Sequence, residues 1–147
     1  MDTPVAALLE RKGSAVHAVA STITIAEAVA EMNRKRIGCI VIVESGAIAG
    51  IFTERDVLRR VVGAGLDPKA VLVADVMTRN VHTVPPEATI EQTMALFGEM
   101  HCRHIPVVAG GQVRGLISIG DISRWMSDVS RTEADHLKNY IAGGFPA

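Results

Sequence analysis

GIFTERD (50–56) returns 65 residues later as GLISIGD (115–121). Each copy holds a Gly, two apolar residues, a hydroxyl residue, two free positions and an Asp. Working outward from this pair, residues 16–59 lie on 81–124 without a gap, and 12 of the 44 positions are identical. The identities include Val16/Val81, His17/His82, Thr24/Thr89, Ile40/Ile105, Gly46/Gly111, Gly50/Gly115, Asp56/Asp121 and Arg59/Arg124. The chain is a tandem repeat.

Both copies give one order of elements: strand, helix, strand, strand, helix. VHAVA and VHTVP read as opening strands. TIAEAVAEMNRKR (24–36) and TIEQTMALFGEMH (89–101) place Ile25, Ala28, Val29 and Met32, or Ile90, Thr93, Met94 and Phe97, at helical spacing. Thr24 with Glu27 and Thr89 with Gln92 form capping boxes that fix where these helices start. CIVIV and HIPVV are β-branched strands. Gly-containing turns (ESGA, AGGQ) then lead into IAGIF and VRGLI. The hydroxyl-x-x-Asp stretch opens a second helix in each copy. One such unit has too small an interior to be stable alone, so the two are expected to pack their sheets together about a pseudo-twofold axis. The boundaries expected are 8–64 for the first unit, 74–130 for the second, and 131–147 for a C-terminal helix and tail. PVAALLERK (4–12) reads as a short amphipathic helix. TEADHLKNYI (132–141) reads as a separate one with Leu137, Tyr140 and Ile141 on one side. A surplus apolar face of this kind suggests a homodimer.

Composition narrows the function. Apolar residues make up 48 % and charged residues 21 % of 147, a globular balance. Aromatics are 3 %, which leaves little material for base stacking, and a net charge of −1 gives no pull toward nucleic acid or an anionic membrane. The longest strongly apolar run, IGCIVIV (37–43), is far short of the roughly 20 residues of a membrane helix. The N-terminal stretch lacks the pattern of a signal peptide, and two cysteines make no disulfide framework. A cytoplasmic setting is the simplest expectation.

The hydroxyl-x-x-Asp pair has two readings. In the first, Thr53 or Ser118 is an N-cap and the Asp three residues on completes the box, a feature common in proteins that bind nothing. In the second, the helix N-terminus and its capping hydroxyl meet a phosphate. The carboxylate then accepts from a vicinal diol, while Gly50 or Gly115 lets a ligand approach the strand backbone. Arg55 either pairs with a phosphate or is a solvated helix charge. Its counterpart is Gly120, so the two clefts should differ, with more phosphate favoured on the Arg55 side. His101, Cys102 and His104 alternate across a strand and leave too few ligands for a closed metal site. Cys39 aligns with His104, so no ligand set is duplicated, and both cysteines read as structural filling. Trp125, with Met126 and Val129, reads as a core or dimer contact. No nucleophile–base pair, P-loop or acidic metal cluster marks a catalytic centre.

Paired units with these endings, preceded by the RHIPVV strand and carrying VMTRNVHTV and KNYIAGG, resemble a tandem pair of CBS domains, a Bateman module. The likeness covers roughly residues 8–130 and is strongest to small stand-alone bacterial CBS-pair proteins. It implies an α+β fold and a regulatory module without catalysis that binds AMP, ADP, ATP, NAD(H) or S-adenosylmethionine in clefts between the units. It implicates Thr53 and Asp56, with Ile37 and Gly38 at the adenine edge of one cleft. In the other it implicates Ser118 and Asp121, with the Arg103, His104, Ile105, Pro106 run. Thr83 matches a polar position on the opening strand, where the first copy has Ala18. A small nucleotide-acting enzyme and a ligand-free dimerisation scaffold are the alternatives, and no protein target is named by the sequence.

Overall fold

The computed structural model describes residues 3–13, 15–139 and 141. The first repeat contains β1 (Ala18–Ala20), α2 (Ile25–Lys35), β2 (Cys39–Glu44), β3 (Ala47–Thr53) and α3 (Glu54–Asp56), with α3 continued by a π-helical stretch, Val57–Val62. The second contains α4 (Ile90–Met100), β4 (His104–Ala109), β5 (Gln112–Ser118) and α5 (Ile119–Asn139). A leader stands before each: α1 (Val5–Lys12) and a single 3₁₀ turn, Val73–Asp75. The first sheet has the order β1-β2-β3, and the second pairs β4 with β5.

The repeat is visible at single residues. Thr24 and Thr89 both cap with complete boxes, through Glu27 and Gln92. Arg36 and His101 both end their helices in the left-handed region, at φ 56° and 52°. Both hairpins turn through two residues of positive φ, Ser45-Gly46 and Gly110-Gly111, the geometry that matches strand twist. Both carry a bulge at the same place, Ile42/Val43 and Val107/Val108.

Three departures have local causes. The expected opening strand VHTVP is reduced to one bridge, Val84 to Val107, whereas β1 pairs three residues with β2. In the first repeat the Val41 N–H donates to the His17 carbonyl at 3.0 Å. Its counterpart Pro106 has no N–H, and Pro85 removes the next donor, so the ladder stops. The second helix of the first repeat is short and π-wound and ends at Gly63. Val57, Val61 and Val62 favour a regular helix poorly, and the Gly63 N–H reaches back to the Leu58 carbonyl at 2.9 Å. The separate C-terminal helix expected at 132–141 does not exist as such. With no Gly or Pro between Gly120 and Asn139, α5 runs on unbroken to Asn139. Tyr140 and the tail from 142 lie outside the described residues.

The core is laced crosswise. Val5, Leu8 and Leu9 of α1 pack with Val84, Ile90, Phe97, Ile105, Val107, Ile117 and Ile122 of the second repeat. Val73, Val76 and Met77 pack with Ile25, Ala28, Met32, Ile40, Ile42 and Phe52 of the first. Each leader thus completes the core of the repeat it does not precede. Backbone bonds follow the same plan: Val5 N–H to the Ala88 carbonyl at 2.8 Å, and Val73 N–H to the Ile23 carbonyl at 2.9 Å. A third cluster, Cys39, Val41 and Ile51 against Val81, Val113 and Leu116, joins the two sheets. The repeats therefore pack through their sheets as pseudo-twofold mates.

Gly50 and Gly115 are explained by this lacing. A Cβ on Gly50 would stand 2.6 Å from the Thr78 carbonyl oxygen and 2.9 Å from the Met77 sulfur; one on Gly115 would stand 2.6 Å from Leu9 Cδ2. The close approach expected of a ligand is made by the chain's own leaders.

Candidate functional site

Both hydroxyl-x-x-Asp stretches form capping boxes. The Thr53 N–H donates to Asp56 Oδ2 at 3.0 Å, and the Asp56 N–H to Thr53 Oγ1 at 3.2 Å. The Ser118 N–H donates to Asp121 Oδ2 at 2.8 Å, and the Asp121 N–H to Ser118 Oγ at 3.1 Å. The cap reading is therefore satisfied in the structure, and each carboxylate still has acceptor capacity beyond it. Both are buried, at 6 % and 8 % exposure.

What fills that capacity differs. Thr78, in the stretch leading out of the 3₁₀ leader, donates its hydroxyl to Asp56 at 3.1 Å to Oδ1 and 3.3 Å to Oδ2. Arg60 Nε stands 3.6 Å from Asp56 Oδ1, and its Nη1 donates to the Met77 carbonyl at 3.1 Å. Asp121 instead carries two cations: Lys12 Nζ at 2.6 Å from Oδ2 and Arg124 Nη2 at 2.6 Å from Oδ1. Burial opposes ionisation of Asp121. The hydrogen bonds from Lys12 and the Ser118 N–H, with the Lys12 charge, outweigh it and hold the carboxyl below the usual range.

Two cavities follow. The larger, about 350 Å³, lies between the repeats. The first repeat supplies Gly38, Ile51, Thr53, Glu54, Arg55, Asp56, Arg59 and Arg60. The linker and second repeat supply Thr78, Asn80, His82 and the run Met100, His101, Cys102, Arg103 and His104. Arg55, Arg59 and Arg103 make no ion pair or side-chain hydrogen bond among the described residues. The wall is thus cationic, with three unpaired guanidiniums against Glu54 and Asp56. Burial pulls the His104 pKa down, while the charges of Asp121 and Glu54 oppose that shift, so His104 lies within the field of both repeats. Cys39 is buried, and burial followed by the Asp56 charge pushes its thiol up to about 12, which makes it inert packing.

The smaller cavity, about 230 Å³, is lined by Leu8, Arg11, Lys12, Asp121, Arg124, Trp125 and Asp128. Its cations are engaged: Lys12 and Arg124 on Asp121, and Arg11 3.5 Å from Asp128 and over the Trp125 ring at 5.5 Å. Trp125 packs against the second repeat's core, and α1 covers it.

The structure brings Gly38, Thr53, Arg55, Asp56, Arg103 and His104 together around the larger cavity, while Asp121 faces the smaller one. Arg103 divides its attention. Its carbonyl accepts the Ile119 N–H beside Ser118 at 3.1 Å, as Gly38 accepts from Glu54 at 3.0 Å, while its side chain lines the cavity of Thr53. Ile37 packs toward the first core, Ile105 and Pro106 are buried, and the Pro106 carbonyl already accepts the Val84 N–H. Ser118 and Thr83 line neither cavity, and Thr83 is exposed. Lys12, Arg60, Thr78, Asn80 and His82 escaped the sequence reading. His82 and Arg59 did carry a signal, since both recur in the repeat.

A sequence model of the CBS domain matches residues 2–63 and again 73–128, and the chain belongs to the CBS-domain family. It is 38 % identical over 127 residues to the mitochondrial CBS domain-containing protein CBSX3 of Arabidopsis thaliana, covering 83 % of this chain and 62 % of that protein. The chain therefore spans about three fifths of that relative's length. Among solved structures, the CBS-domain protein ATU1752 of Agrobacterium tumefaciens is 36 % identical with a TM-score of 0.79, over 84 % of this chain and 99 % of that one. A CBS-domain protein of Burkholderia ambifaria is 38 % identical with a TM-score of 0.80, over 84 % and 93 %. Paired CBS domains are regulatory modules, and this chain is such a pair. Among the described residues, no helix is long and apolar enough to cross a membrane.

Proposed function

We propose that the chain is a non-catalytic regulatory module that binds an adenosine ligand carrying phosphate (AMP, ADP, ATP or NAD(H)) in the Thr53–Asp56 cleft. One observation carries this reading: three unpaired arginines from both repeats converge on a capping box whose carboxylate is held by an exchangeable hydroxyl. Phosphate suits the guanidiniums and the helix start, and the Asp56 carboxylate suits a ribose diol, which would replace the Thr78 hydroxyl. The volume falls in the roughly 300–1,000 Å³ range of small-molecule sites. A ligand there touches both repeats, so it can bias their arrangement if it binds one arrangement better. A cytoplasmic energy or redox-cofactor sensor is the role that fits, and the two free cysteines suit a reducing compartment.

Titration of the purified protein with AMP, ATP and NADH tests this. Binding lost in Asp56→Asn is expected. No binding, with the melting temperature unchanged at millimolar ligand, would remove the proposal. A site filled at 100 times its Kd adds about 2.7 kcal/mol to stability. Self-association belongs to the same reading. Residues 131–139 of α5 are exposed on every side, with Leu137 60 % exposed. A hexameric CBS-CP12 protein from bloom-forming cyanobacteria, 26 % identical with a TM-score of 0.69, shows a related fold assembling. Light scattering is expected to give a dimer. An enzyme role has less support. Arabinose 5-phosphate isomerase of Yersinia pestis matches this chain over 34 % of its own length, so most of that enzyme has no counterpart in the matched region.

A further inference from the structure

Resting on that reading of the Thr53–Asp56 cleft, we propose that Lys12 is a built-in occupant of the second cleft. It stands on Asp121 where a ribose diol would stand, so that one chain holds one nucleotide. Lys12 Nζ donates to Asp121 Oδ2 at 2.6 Å and to the Leu116 carbonyl at 2.8 Å. Arg124 takes Oδ1, and the Ser118 N–H shares Oδ2. Asp121 thus keeps acceptor room only on Oδ1, beside Arg124, and a diol held by both oxygens would have to displace Lys12 from Oδ2.

The partner at the pseudo-equivalent place in the first cleft is the Thr78 hydroxyl, which a ligand hydroxyl replaces like for like. Turning an ammonium off a carboxylate with 8 % exposure is a different exchange, because the buried carboxylate gives up one of its two cations in a poorly solvated place and keeps only Arg124. The backbone of Lys12 is fixed as well. Val5, Leu8 and Leu9 of the same helix are buried in the second repeat, and Leu9 fills the space above Gly115. The Lys12 side chain is 35 % exposed, so a substitution there removes the plug without unpacking the helix.

Calorimetric titration of the full chain with ATP tests this on four proteins: wild type, Lys12→Met, Asp56→Asn, and Lys12→Met with Asp121→Asn. One site per chain is expected in the wild type, lost in Asp56→Asn. Lys12→Met should gain a second site that the added Asp121→Asn removes. Trp125, the single tryptophan, lies under Arg11 of the same helix, and its unchanged emission shows that α1 stays docked in Lys12→Met. Two sites in the wild type, or one in a well-folded Lys12→Met, would overturn the role of Lys12 while leaving the first cleft standing. No heat from any protein removes the nucleotide reading and the stoichiometry together. Melting without nucleotide, with Asp121→Asn alone added to complete the cycle, then judges the contact alone: non-additive losses for Lys12→Met and Asp121→Asn support it, and additive losses overturn it.

Discussion

At Asp56 the partner from the neighbouring leader is a hydroxyl, and at Asp121 it is an ammonium backed by a second cation. Around Asp56 three guanidiniums are unpaired; around Asp121 each cation already has its acid. Duplication preserved the backbone devices, namely caps, turns, bulges and the two glycines under the leaders. The side chains the leaders present were free to diverge. A repeated fold therefore need not mean a repeated site, because each cleft is finished by a segment outside the aligned 44 residues.

The comparison is sharpened most strongly at the leaders. Leu8→Ala and Val73→Ala occupy equivalent places, 65 apart, in opposite cores. Leu8→Ala should cost about 2–5 kcal/mol, read by urea unfolding, with early exchange of amides in the second repeat; Val73→Ala should loosen the first. The same region losing protection in both would break the crosswise scheme. Next come the glycines. Gly50→Ala meets a backbone carbonyl and should cost about 1–3 kcal/mol. Gly115→Ala meets the end of a leucine side chain and should cost less in the same melt.

The carboxylates follow. Each Asp→Asn weakens a cap worth about 1 kcal/mol. Asp121→Asn should lower the melting temperature more, since Lys12 and Arg124 lose their partner, whereas Asp56→Asn should reduce nucleotide affinity at least tenfold, about 1.4 kcal/mol. The reverse order would exchange the roles assigned to the clefts. The smallest effect is at His104. Its folded pKa lies below 6.5, so its contribution is fully present above the unfolded value and is lost as pH falls from there through the folded pKa. Stability measured from pH 7.5 to 5 should fall less steeply in His104→Gln. Asp121, with its depressed pKa, holds its contribution above about pH 3.9 and loses it only below.

Much of this fold is legible in the sequence because each repeat signals its elements locally: Thr-x-x-Glu and Thr-x-x-Gln caps, β-branched runs and two-residue turns. The family likeness came from the same local motifs. What sequence hides is long-range. Lys12 lies 109 positions from Asp121, and nothing in ERK at 10–12 marks its target. Thr78 reaches Asp56 across 22 residues and shows no periodic signal. The lost opening strand was readable in principle, since Pro85 and Pro106 each remove a donor. It was obscured because the matching positions in the first repeat, Ala20 and Val41, keep theirs. The continuity of α5 rested on the absence of a breaker, which an amphipathic pattern does not display.

The crosswise leaders also change what counts as a half of this molecule. Severed in the Gly63–Gly65 turn, the chain yields two pieces that each carry the wedge missing from the other's interior. Neither piece is a small domain in its own right. They are interlocking parts, and the linker between them serves less to join two finished modules than to raise the local concentration at which they close on each other.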